Sequence, residues 1–590
     1  MPMLTPPPLP VDIESWKHLT RPEKIRPLAK DWVENGISAP VPIYILYILK
    51  LIAFSVGGLL ILAATPGIGG VTDVANWWHE PIVYQKLVIF IWLFEMMGLG
   101  GSFGPLTFKF LPPLVAPLHW FRPGTIRQPP WPRVVPLTRG DRRSGVDVLL
   151  AVVAAGLMVW LLASSGSGPV PPGESVGLLD KKVVLALVVT MLMIGLRDKV
   201  LYIASRADIY LVSTLIFLFP YDQMMIGLKL ALVAVWVGAG ISKLTHVFPY
   251  VVATMTSNAP LRPKWFKRAM YRDPRNDLRP SRFAFVFAHS GTVVEIALPL
   301  VMLFSHGGIV SVVAVTIIVI FHLHIISNVP LAVPNEWNVY MLAAAIFLFG
   351  SHADVSVTDL RNPLLIALLA VGVMGPVVLG NVRPDLVSFV IAMRYYAGTW
   401  PASLWCFRGE SWRRLSEDIT KASGLADEQL ERVYGPDYAL VTRFRMSAFR
   451  SFFPVGMAMN GLLRRAVDDV EEYAVIDGEI IGSALNGWNM GDGHMHNEQL
   501  LEAVQKRCGY ARGELVLVHM ESQPLNRNRM AYRIVDAAAG QLEAGTVPLG
   551  PMLERQPWDD APVPVSVTSL RIAPGAQLHP SLSEVEQARQ

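Results

Sequence analysis

The chain has 590 residues, of which 52% are hydrophobic and only 17% charged. A soluble chain of this length carries about 25% charged residues, so composition excludes an ordinary soluble enzyme. A net charge of +4 gives no nucleic-acid footprint, and two cysteines about a hundred residues apart, Cys406 and Cys508, exclude a disulfide framework.

The first 42 residues, rich in proline and mixed in charge, read as a cytoplasmic segment without the apolar core of a cleaved signal. Apolar runs then recur at lengths that cross a hydrocarbon layer about 30 Å thick. They fall near 43–64, 82–103, 146–165, 182–197, 207–220, 224–243, 283–303, 308–327, 338–350 and 364–381, about ten spans within 43–395. Lys and Arg concentrate in the N-terminal segment and in the 104–145 and 244–282 loops, whereas loops 65–81, 221–223 and 304–307 have none. The positive-inside rule then puts both termini in the cytoplasm of a multi-pass plasma-membrane protein.

Several loops carry chemistry of their own. "WWHE" at 77–80 reads as an interfacial anchor on the outer face. "GLGGSFG" at 98–104 resembles a phosphate loop, but it ends a span and no Walker lysine follows, so close packing of small residues explains it better. Arg122, Arg127, Arg133, Arg139, Arg142 and Arg143 line the next basic loop. Arginine suits bidentate phosphate contact, which makes them candidates for binding the head-groups of an anionic inner leaflet.

Ionisable groups within spans are costly and mark functional or pairing positions. Lys50 and Glu95 fall at similar depth in adjacent antiparallel spans, which predicts an intramembrane ion pair. Lys243 closes span six at the inner face, His289 and His322 sit at nearby depth on spans seven and eight, and Glu295 lies deeper, before Pro299. An amine, two imidazoles and a carboxylate on consecutive spans form a candidate acid–base site. His322 and His324 are two residues apart and project to nearly opposite helix faces, so at most one of them faces the cluster.

From about Tyr396 to residue 556 the composition turns polar, and this part reads as a soluble cytoplasmic α+β domain fitted to dock a protein partner. "EEYAVIDGEIIGSALNGW" and "GELVLVHMES" read as strands, and "NEQLLEAVQKRCG" as a helix with Asn497 as its N-cap and Gly509 after its end. Asp492, His494 and His496 share a glycine-rich loop, but no third or fourth ligand stands out, so no metal is assigned. Residues 557–590, rich in Pro, Ser and Ala, read as a disordered tail.

Two resemblances follow from these segments. "AGISKL" (239–244), Val294-Glu295 with Pro299, and Phe321-His322 are similar in order to the horizontally transferred transmembrane domain, the superfamily of the vitamin K-dependent γ-carboxylases. Over residues 200–345 this implies that Lys243 is the base engaging a reduced quinone, while Asp208 stands where that family has its catalytic histidine. "WWHEPIVYQKLVIF", "EMMGLGGSFGPL" and "RPGTIRQPPWPRVVPLTRGDRR" resemble an uncharacterised family of actinobacterial integral membrane proteins of the cell envelope.

The sequence thus points to an all-α polytopic membrane protein with a C-terminal α+β domain. It would bind or modify a membrane lipid, a quinone or a polyprenyl lipid, in a cavity among spans five to eight. A non-enzymatic transporter or assembly partner with structural intramembrane charges is the alternative. Inverted repeats would mark a transporter, and the sequence shows no convincing one.

Overall fold

The computed structural model describes residues 6–100, 115–328, 335–487 and 491–570. The phosphate-loop-like stretch beyond Gly100, part of the 328–337 loop and the last twenty residues lie outside them. Among the described residues, six helices are long and apolar enough to cross a membrane: Val41–Ala63, Gly145–Ala163, Tyr221–Ser242, Arg282–Phe304, Gly308–Ile326 and Pro363–Val382. The other four expected runs lie on shorter helices, Pro81–Met96, Lys181–Arg197, Ala207–Ile216 and Asn335–Ala345, the last continued by the π-helical segment Ile346–Ser351.

Tyr221–Ser242 is the central helix, 78% buried, whereas the other five long helices are only 22–33% buried. Their exposed residues are large and apolar, among them Ile48, Ile52, Leu149, Trp160, Val286, Val293, Val310, Ile320 and Val371. Apolar surface turned outward around a buried core is the arrangement a lipid solvent favours.

At one end of the bundle lies the polar part. Its sheet has the order β4-β3-β5-β6-β7-β8, with every neighbour antiparallel. The strands are β3 (Ala402–Arg408), β4 (Tyr473–Asp477), β5 (Leu515–Met520), β6 (Arg529–Asp536), β7 (Gly540–Pro548) and β8 (Ser566–Leu570). Both β3 and β5 are nearly continuous apolar runs because helices cover the centre of the sheet. "EEYAVIDGEIIGSALNGW" is half strand: β4 ends at Asp477, whose carboxylate caps the helix Gly478–Asn486. The helix Glu498–Cys508 has Asn497 as its N-cap and Gly509 in a left-handed conformation after its end, as the sequence predicts.

Residues 557–570, expected to be disordered, are ordered. Trp558 lies under the cations of Arg26 and Lys30, and β8 pairs with β7. Backbone pairing and cation–π contact supply the order that composition does not announce.

The N-terminal segment forms the helix Arg21–Asn35, started by a Thr20–Glu23 capping box. Its buried face (Ile25, Leu28, Ala29, Trp32, Val33) shares one apolar core with the C-terminal sheet and helices. Arg445 holds Asp31 at 2.5 Å and Lys17 holds Asp437 at 2.8 Å. The helix Phe248–Asn258 and a hairpin of β1 (Tyr271–Asp273) and β2 (Asp277–Pro280), both from the 244–282 loop, join the same core. The 115–145 loop also docks there, where Trp120 donates to the Asn486 carbonyl and Gln128 to that of Met495. The most basic connections, the N-terminal helix and the C-terminal sheet therefore gather at one end of the bundle.

Candidate functional site

Lys243 caps the C-terminal end of the central helix, where the chain turns into Phe248–Asn258. Gly240, one turn earlier, lets this helix approach Arg282–Phe304 closely, and a Cβ there would sit 2.6 Å from Ile296 Cγ1. The approach brings Lys243 Nζ to 2.5 and 2.6 Å from the two carboxylate oxygens of Glu295. Both side chains are buried, and the ammonium also lies over the Phe248 ring. Two residues from separate helices, 52 positions apart, form a buried pair in which one ammonium meets both carboxylate oxygens.

The pair forms one wall of a cavity of about 240 Å³. Phe248, Val251, Met255, Phe287, Val294 and Phe321 are among its apolar lining, and His324, Asn328 and Tyr396 add polar groups. An apolar cleft with a few convergent polar groups is the usual form of a small-molecule site.

The two histidines expected at the cluster take other places. His322 is buried beside the cavity, where Trp236 donates to its Nε2 at 2.9 Å and its Nδ1 lies 2.9 Å from the Asn338 side-chain oxygen. Both ring nitrogens are used, so His322 holds helices together. His289 is half-buried against Phe248 and Phe285 and does not line the cavity. His324 does, in keeping with the opposite projection of residues two apart, and Arg262 donates to its Nδ1. The sequence weighs His324 against His322 and favours His322, and it gives Arg262 no role beyond the basic loop, because the meeting of His324 with Arg262 depends on the fold of that loop.

Asp208 lies in a separate small cavity with Tyr84, Ser213 and Tyr340, which shares no lining residue with that of Lys243. The two positions singled out by the carboxylase resemblance therefore do not converge. Arg206, in a left-handed conformation, approaches Asp208 at 3.7 Å while its guanidinium stacks on Trp337 and Tyr395.

Lys50 meets Glu336 at 3.1 Å, a carboxylate the sequence reading did not single out. Glu95 is buried against Gly100, whose carbonyl lies 3.5 Å from Lys50 Nζ. Of the loop arginines, Arg127 is buried against Asp147 at 3.1 Å and Arg143 against Asp198, so both build the fold. Arg122, Arg133, Arg139 and Arg142 are exposed.

In the C-terminal domain, His494 and His496 diverge: His494 reaches Glu521 at 3.0 Å, and His496 reaches Ser403 at 2.6 Å. Glu521 also holds His519 at 3.2 Å and Arg533 at 2.8 Å, forming a clamp between β5, β6 and the 491–497 loop. Burial opposes a charged His494, but Asp492 and Glu521 outweigh it and raise its pKa above the ordinary 6.5. Burial alone would raise the Glu521 carboxyl, yet His494 and His519 hold it well below 4.5. Among the described residues no group of three or more His, Cys, Asp or Glu is placed to hold a metal ion.

A bundle of long apolar helices with lipid-facing sides and an α+β domain at one end defines a multi-pass membrane protein with a fused polar domain. The chain belongs to the family described as transmembrane protein of unknown function (DUF3556), whose model matches residues 1–568. No curated protein and no solved structure matches it.

Proposed function

We propose that the protein binds a lipid- or quinone-like molecule of the cell envelope in the cavity beside Lys243 and Glu295. The observation that carries this reading is the cavity itself: about 240 Å³, walled mainly by apolar side chains, with an ion pair and an imidazole at its surface. An amphiphile would lay its apolar body along Phe248, Phe287 and Phe321 and turn its head-group towards Lys243, Glu295 and His324. The resemblance of residues 200–345 to the γ-carboxylase superfamily supports a quinone-like ligand. It does not support carboxylation, because Asp208 replaces the family's histidine and lies in another cavity. The concentration of basic loops at the end that carries the C-terminal domain favours placing that end in the cytoplasm. The exposed Arg122, Arg133, Arg139 and Arg142 would then face anionic inner-leaflet lipid.

The test is mass spectrometry of organic extracts from purified wild-type protein and from Lys243→Ala. A quinone or polyprenyl lipid retained by the first and depleted in the second is expected. Equal lipid content in both would remove the cavity from this role and leave the charges as helix-packing devices of a transporter or assembly partner.

A further inference from the structure

The Lys243–Glu295 pair limits what the cavity can accept. Both carboxylate oxygens lie within 2.6 Å of one ammonium, so the pair presents little net charge. A phosphate or carboxylate head-group seated at Lys243 would have to take the lysine from Glu295 and strand a buried anion. Breaking a buried pair in this way is strongly unfavourable.

His324 is different in kind from His322. Guanidinium groups only donate, so the bond from Arg262 requires His324 Nδ1 to be an unprotonated acceptor. The ring is then neutral with its proton on Nε2. Among the described residues the one hydrogen bond of the ring is that at Nδ1, which leaves Nε2–H free, and the side chain lines the cavity. Two neighbouring donors are engaged elsewhere: Asn328 donates to the carbonyls of His324 and Ile325, and Ser290 to that of Phe287. His324 is half-buried, and its free N–H faces a mainly apolar cavity where a ligand oxygen could accept from it.

We propose that His324, its tautomer fixed by Arg262, is the specificity-determining donor of this cavity and selects an uncharged head-group that offers a carbonyl oxygen. This rests on the ligand-binding reading above and narrows it. Quinone ketones and the ester carbonyls of neutral glycerides share this chemistry. Lys243 and Glu295 stay paired beside the head-group and are not exchanged for it.

Ligand binding to the purified full-length protein in detergent tests this with four probes: a short-chain prenyl naphthoquinone, dioctanoylglycerol, a prenyl hydrocarbon of similar length, and dioctanoyl phosphatidate. Wild type is expected to bind one of the two carbonyl probes about tenfold more tightly than the hydrocarbon. Whichever is preferred tells the quinone source from the glyceride source. His324→Phe should lose that preference while still binding the hydrocarbon, and His324→Gln, which keeps an N–H donor, should retain part of it. The proposal is overturned if His324→Phe keeps the preference, if phosphatidate binds most tightly, or if wild type binds carbonyl probes and hydrocarbon alike. Should wild type bind none of the four, the ligand-binding reading of the cavity falls as well.

Discussion

At the scale of single residues, the cost of burying charge decides most of what is seen. Lys243 could have been a snorkelling anchor at the lipid interface, as lysines at helix ends often are. It is instead enclosed, and its partner is the one carboxylate of the facing helix. Removing one member leaves the other uncompensated. Lys243→Met alone should therefore destabilise the protein by about 3–5 kcal/mol, whereas Lys243→Met with Glu295→Leu should recover most of that loss. Unfolding midpoints of the single and double variants in the same detergent check this, and a double variant no better than the single one would contradict it.

The Glu521 clamp makes a residue-scale prediction about pH. A histidine with a raised pKa stabilises the fold fully below its ordinary 6.5 and loses that contribution as pH rises through the raised value. Glu521, whose pKa is depressed, contributes above its ordinary 4.5 and loses that only as pH falls through the lowered value. The clamp is thus strongest between about pH 4.5 and 6.5 and loosens above that window. Hydrogen exchange of β5 and the 491–497 loop, corrected for intrinsic rates, should show faster opening at pH 8.5 than at pH 6. Glu521→Gln should flatten that difference.

At the scale of elements, close approach matters as much as hydrophobic length. The central helix meets Arg282–Phe304 through Gly240, and only a residue without a side chain leaves room for Ile296 there. Gly240→Leu should push the two helices apart, costing about 1–3 kcal/mol of stability by overpacking and lengthening the Lys243–Glu295 contact. Thermal unfolding measures the first effect, and a cross-link between cysteines placed on the two helices reports the second.

Elements also show where sequence was readable. The helix Glu498–Cys508 was legible because Asn497 and Gly509 act within one turn of their own position. The four other apolar runs read as spans by hydropathy, which counts apolar residues but not helical turns, and the structure carries them on shorter helices. Ala207–Ile216, for example, ends short of Pro220, which begins the approach to the next helix. β3, β6, β7 and β8 are not announced by the sequence, and β3 in particular takes its order from strands far along the chain, β4 and β5.

At the scale of the molecule, the N-terminal helix and the C-terminal sheet share a core although all six long apolar helices lie between them in the chain. Trp32 is fully buried, and its Nε1 donates to the Thr254 carbonyl at 3.2 Å. Trp32→Ala should cost about 3–5 kcal/mol and expose the C-terminal domain to protease as well as the N-terminal segment. If limited proteolysis freed only the N-terminal segment, the shared core would not be a cooperative unit.

Composition and local pattern by themselves determined the membrane class, the polar C-terminal domain, and Lys243 and Glu295 as charges that needed a reason to be inside. These are transfer and capping effects, which act on each segment wherever its neighbours lie. Which groups meet was decided by tertiary structure alone: Glu295 for Lys243, Glu336 for Lys50, Asp147 and Asp198 for two of the loop arginines, and His324 rather than His322 at the cavity. A buried charge demands a partner but does not name it. The partner is chosen by the packing of helices far apart in the chain.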